Sequence, residues 1–388
     1  MTPHRFVPLL ILVLATTLVP RPAAAHDASA WGGLFRTRDA GATWLQVNPG
    51  SFVSGALALA VSPVDQHHLL LATDIGLSRS RNGGRDWVAE APDVVAGPVF
   101  AATFDVDGRR ALVAGGAALF VSDGDGWRRL RSPSGAMPPR ALAPGAVRGR
   151  VYLAGRSGLY RSDDWGESWV AIGSGLKAPY ASVVMTPRER ADDVYAVAGG
   201  RAWASSDAGL RWELRSEGLP ASSIDALALD PSDANRLWSV VADQVYRSDD
   251  QGRRWRLIGQ PVPERPVVAH ALTVVDHTIV MATDRGVFRS TDDGAHWTLG
   301  SDTLPAHLDA GMLARDPVDA PTVYTGFAVR SHEALAQAAL QNRSTLDAIT
   351  PFQLAGGAGI LALALVGAVV GVRRFVRTHG ATRPVVPR

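Results

Sequence analysis

Ser248–Trp255 reads SDDQGRRW, and Ser290–Trp297 reads STDDGAHW. The two octapeptides lie 42 residues apart and share Ser, Asp, Gly and Trp at the same four positions. The same register runs outward along most of the chain. Aligned on Trp, it picks out Trp44, Trp87, Trp127, Trp169, Trp212, Trp255 and Trp297, at spacings of 43, 40, 42, 43, 43 and 42 residues. A fixed period of this size means one supersecondary unit repeated, each copy needing its neighbours to bury an apolar face.

The unit has a constant grammar. ALALAVSPVDQHHLLLATDIGLSRSRNGGRDW (Ala56–Trp87) and IDALALDPSDANRLWSVVADQVYRSDDQGRRW (Ile224–Trp255) each show short Val-, Leu- and Ala-rich runs. Ser-Pro, Asp-Pro, Asn-Gly or Gly-Gly punctuate them, with no segment of helical period between, so the runs read as strands and turns. Four strands per unit of this length is the arithmetic of a β-propeller blade. The chain begins its repeats at GGLFRTRDAGATW, which supplies the last two strands of a blade. It ends them at LDAGMLARDPVDAPTVYTGFAVRS, which supplies the first two and no octapeptide. The halves complete one another. The expected fold is all-β: a seven-bladed propeller over residues 26–330, closed by pairing its terminal strands, which removes exposed sheet edges.

The ends read as addresses. Residues 1–25 carry Arg5, an apolar run and Ala23-Ala24-Ala25, the pattern of a cleaved signal peptide. Leu354–Val372 has no charged residue and is followed by Arg373, Arg374 and Arg377. That is long enough to cross a bilayer once, with the arginines on the cytoplasmic side. The expected layout is a juxtamembrane linker at 331–351, containing HEALAQAALQ with helical character, a transmembrane helix at 352–372 and a basic cytoplasmic tail at 373–388. The propeller then lies on the periplasmic or extracellular side of the cell membrane. There is no Cys, which excludes disulfides and thiol chemistry. Net charge is only +2, with Lys177 the single lysine, and no basic stretch tracks a nucleic acid. No cofactor or metal is expected. Asp123-Gly-Asp125 lacks the further ligands of a calcium loop. His67-His68 has no third ligand nearby and reads as solvated surface.

The octapeptides match the Asp-box pattern, Ser/Thr-x-Asp-x-Gly-x-x-Trp, of sialidases and many other propellers. Asp39, Asp164, Asp207, Asp250 and Asp292 hold its acidic position. Asn82 replaces Asp before Trp87, and the stretch before Trp127 is shortened. Asp accepts hydrogen bonds from its own turn, Gly admits φ > 0, and Trp packs its face while its N–H finds a partner. Seven such turns around one axis, one of them carrying Asn, argue for building blades rather than for catalysis. Function falls instead to the channel mouth, lined by loops that lead into the innermost strands. The candidates there are Arg140, Lys177, Tyr180, Asp225, Glu264, Arg265, His270, His307 and Asp309.

Across residues 30–330 the chain resembles the bacterial Asp-box propellers of the photosystem II stability/assembly-factor type. GLYRSDDWGESW, QVYRSDDQGRRW and GVFRSTDDGAHW carry the resemblance. It implies a non-catalytic propeller that binds another protein, or a glycan, in the assembly or stability of an envelope complex. The alternative is an exo-sialidase-like glycoside hydrolase. Sialidases share the boxes, but their Arg-Ile-Pro signature is absent here and these blades are close to minimal. Xyloglucanase-like glycosidases join two propellers across a catalytic cleft, and sortilin-type receptors need a Cys-rich module.

Overall fold

The structure is a computed structural model that describes residues 33–341 apart from 49–54, 125, 179, 264–265, 301–302 and 306–307. The expected signal peptide and transmembrane helix lie outside the described residues, as do Glu264, Arg265 and His307. Seven four-stranded antiparallel sheets make the blades. Six are continuous in sequence. The first, for example, comprises Ala56–Val61, Leu69–Thr73, Leu77–Ser80 and Val88–Ala89 from the axis outward. In the seventh, Ala310–Arg315 and Val323–Phe327 are completed by Gly33–Thr37 and Leu45–Gln46. Gly33 pairs with Phe327 and Thr37 with Val323, so the terminal strands close the ring. Among the described residues the one α-helix is His332–Leu340. The compact unit holding the propeller runs on to Glu333.

Burial explains why the second strand of each blade reads as an unbroken apolar run. Leu69–Thr73, Val151–Gly155, Leu237–Val241 and Val323–Phe327 are buried at every position. Such a strand has a neighbouring blade on both faces and no solvent side to alternate toward. The outermost strands are the opposite. They are only two residues long in five blades, and Val88, Val170 and Leu299 stand exposed on them. Short outer strands offer little edge to another sheet.

The octapeptide turns share one hydrogen-bond pattern. In Ser248–Trp255, Ser248 Oγ accepts from Gly252 N (2.8 Å) and donates to Asp250 Oδ1 (2.8 Å), which accepts from Arg254 N (2.9 Å). The same three bonds recur around Asp39, Asp164, Asp207 and Asp292. Asn82 reproduces them with its amide oxygen, which needs no negative charge. The residue before the glycine is left-handed (Gln251, φ 63°) and Gly252 follows at φ 78°, which is the reason for glycine there. The shortened turn before Trp127 keeps a bond from a glycine amide to the serine hydroxyl, Gly124 N on Ser122 Oγ.

In four blades the turn is tied to the preceding blade by the Trp at its end. Trp255 Nε1 donates to Arg215 O, Trp212 to Ile172 O, Trp87 to Val47 O and Trp297 to Gln260 O, at 2.7–2.9 Å. The acceptors lie just past the Trp of the preceding blade. Where the spacing shortens, Trp127 Nε1 finds the Glu90 carboxylate instead (2.6 Å). The Arg before the Ser or Thr supplies a second tie in several blades. Arg36, Arg161 and Arg289 donate to the carbonyls of Gly83, Ala208 and Ala40, each in the next blade's turn. One reading is corrected here. His68 is half-buried rather than solvated, packed on Phe104 with its Nε2 2.6 Å from Arg79 Nη1. Burial and that guanidinium hold it down at about 4, so it is a neutral acceptor.

Two outcomes follow from the turns. Trp255 is 5 % exposed, and Trp255→Ala removes both its packing and its inter-blade bond. The expected loss is about 3–5 kcal/mol by chemical denaturation; unfolding at the wild-type midpoint would remove the inter-blade tie from the account. The second concerns acid. Burial opposes the charge on Asp39, but hydrogen bonds from Thr37, Thr43 and the turn backbone outweigh it and hold the carboxyl at about 2. For Asp292 the His296 N–H, then the His296 ring and Ser290, do the same, also to about 2. Asp164, Asp207 and Asp250 are lowered as well. A depressed folded-state value means stability that is complete above the unfolded value of 3.8 and is lost as pH falls toward 2. Melting temperature is therefore expected to fall steeply across that window. Asp39→Asn with Asp292→Asn is expected to flatten the fall, because Asn keeps the acceptor oxygen without the titration.

Candidate functional site

The innermost strands share a feature at their first residues. In six blades the pairing with the second strand shifts register, leaving Leu57, Phe100, Ser182, Asp225, His270 and Gly311 as the extra residue. A bulge of this kind re-aims a side chain and ends regular pairing. Repeated around the axis, it sets a ring of residues at one channel mouth. The third blade pairs without a shift, Ala141 opposite Ala154, and Arg140 takes the equivalent place just before its inner strand. The bulge residues and Arg140 line a cavity of about 1150 Å³.

Of the residues expected at this mouth, Arg140, Tyr180, Asp225, His270 and Asp309 line that cavity together. Asp225 and His270 are bulge residues, while Tyr180 and Asp309 immediately precede the inner strands Ala181–Met185 and Ala310–Arg315. Lys177 is exposed in the same loop as Tyr180 and is not among the lining residues. The structure adds Leu57, Phe100, Ser182, His332 and Glu333. Equivalence of position would have found the first three, since each stands where Asp225 and His270 stand in their blades. His332 and Glu333 had no such signal, because their stretch reads as a linker.

The mouth is chemically divided. Across the second to fourth blades, Arg140 lies over the Tyr180 ring (4.6 Å to its centre) and 3.8 Å from the Glu333 carboxylate. A guanidinium over an aromatic face is held by the ring quadrupole. His332 packs edge-on against Phe100, with ring centres 4.9 Å apart. Burial, then the Arg140 charge, lowers the His332 pKa, so the imidazole is neutral. The rest of the ring carries Asp225, His270 and Asp309. Burial raises the Asp225 pKa, only partly offset by a backbone hydrogen bond from Ala242, and no ion pair to Asp225 or Asp309 occurs among the described residues. The arrangement suits recognition of a mixed polar and aromatic segment, with a cation and rings on one side and carboxyls on the other. Among the described residues no group of three or more His, Asp or Glu side chains is placed to hold a metal.

No protein-family model matches the chain, and no curated protein is similar to it in sequence. Solved structures do share its fold. YCF48 bound to a D1 peptide aligns at TM-score 0.55 with 17% identity, over 76% of this chain and 97% of that one. YCF48 from Cyanidioschyzon merolae aligns at 0.58 with 16% identity, over 74% and 99%. The xyloglucanase from Xanthomonas campestris aligns at 0.59 with 18% identity, over 76% of this chain but 52% of the enzyme. The chain thus shares the architecture of YCF48 across nearly the whole of that protein, and of about half of a larger glycosidase.

Proposed function

We propose that this protein holds a segment of another protein at the channel mouth ringed by the bulge residues, in the assembly or stability of an envelope complex. The observation that carries the reading is the ring itself. Six bulges at equivalent positions set Leu57, Phe100, Ser182, Asp225, His270 and Gly311 around one cavity of about 1150 Å³, and concave sites with a few convergent polar groups are where ligands bind. The YCF48 structure with a D1 peptide is a case of this fold taking a peptide. The apolar run near residues 6–19 and the uncharged run Leu354–Val372 support export and tethering by one helix. No helix among the described residues is long and apolar enough to cross a membrane. In this reading the propeller stands on the periplasmic or extracellular side of the cell membrane and the C-terminus in the cytoplasm, with a glycan as the lesser alternative ligand.

A photo-crosslinking residue at Tyr180, 41 % exposed, tests the mouth against Leu214, 53 % exposed on an outer strand. A discrete protein adduct is expected from position 180 in the membrane-bound protein and none from 214. Equal adducts from both positions, or an adduct from 214 alone, would sink the proposal.

A glycoside hydrolase is the second reading, favoured by one observation. Asp225 and Asp309 line the same cavity, and a carboxyl whose pKa is raised by burial is suited to act as a general acid. The full-length protein is expected to show no turnover of fluorogenic sialosides and other glycosides. Hydrolysis that disappears in Asp225→Asn would put the enzyme reading first.

A further inference from the structure

The cation-and-ring side of the mouth is already filled by the protein's own chain. Glu333 meets Arg140 at 3.8 Å, Arg140 lies over Tyr180, and the His332 ring seats against Phe100. Both residues line the cavity together with Phe100, Arg140 and Tyr180. They follow directly on the closing strand Val323–Phe327, so their arrival at the mouth needs only a short connection.

The charged part of the contact adds little to its stability. The ion pair is long, and its partners are 32 % and 59 % exposed, a setting in which such pairs contribute little. His332 Nε2 is buried with no hydrogen-bond partner among the described residues, and an unsatisfied buried polar atom weakens whatever buries it. A segment that supplied a carboxylate to Arg140 and a better-matched ring to Phe100 would bind at the expense of the chain's own residues. A ligand shifts such an equilibrium only by its differential affinity for the two states. Here the difference is access to the Arg140–Tyr180–Phe100 side.

We propose that His332–Glu333 is an internal stand-in for the partner, whose docking segment carries a carboxylate beside a planar ring and displaces this pair from the mouth. The proposal rests on the mouth being the binding site.

The test uses the full-length protein and a fluorescein-labelled octapeptide, VRSHEALA, copied from Val329–Ala336. An attached segment competes at a high effective concentration, so the wild type is expected to bind this probe weakly. His332→Ala with Glu333→Gln, shown by its melting curve to be folded, is expected to bind it at least about tenfold more tightly. Adding Arg140→Ala to that variant, or Gln for Glu in the probe, is expected to weaken binding about threefold. Equal binding to wild type and emptied mouth, binding indifferent to Arg140, or no binding to the emptied mouth would each overturn the stand-in. Adducts from position 180 that persist beside any of these results would leave the mouth reading intact. Probe binding as expected, with no adduct at 180, would overturn the mouth reading and with it the identity of His332–Glu333 as a stand-in for a partner.

Discussion

The packing of one blade on the next, reinforced in four blades by a Trp indole that donates to a carbonyl some 40 residues earlier, is the constraint on which this molecule depends. An antiparallel sheet of four short strands cannot stand alone, because both faces of its second strand are apolar. Something must fix the distance and rotation from one blade to the next. A large flat side chain at the end of each turn, buried or half-buried and in four blades bonded to the blade before, contributes to both.

The turn preceding each Trp exists to present it. Ser or Thr, Asp and Gly knit a loop whose geometry is identical at Asp39, Asp164, Asp207, Asp250 and Asp292, and Asn82 shows that the charge is dispensable. Where the turn is shortened, the Trp127 indole bonds to Glu90, a side chain long enough to reach it. The fold thus tolerates a defective turn if some acceptor is supplied, which is the mark of a part whose work is mechanical.

Blade number, strand order and closure were legible because they follow from a period and from two complementary half-repeats. Five of the mouth residues were legible too, since loops before inner strands are recognisable by their Pro and Gly. The bulges were not. A bulge adds one residue to a strand, and in runs such as ALALAV or IDALAL no local pattern says which residue is extra. Phe100 and Ser182 were passed over for that reason. The place of His332 and Glu333 was hidden for a different one: a contact made with residues some 190 to 230 positions earlier leaves no trace in local periodicity.

The split seventh blade also sets an order in time. Gly33–Thr37 is among the first strands synthesised, and its partner Val323–Phe327 is among the last. Until then the edge of that strand which meets Val323–Phe327 is uncovered, and Leu34 and Phe35, which the finished ring buries, lack its cover. Loop-closure entropy for so distant a pairing must be met before the pairing returns anything. Closure of the ring therefore waits on the last strands of the propeller to be made.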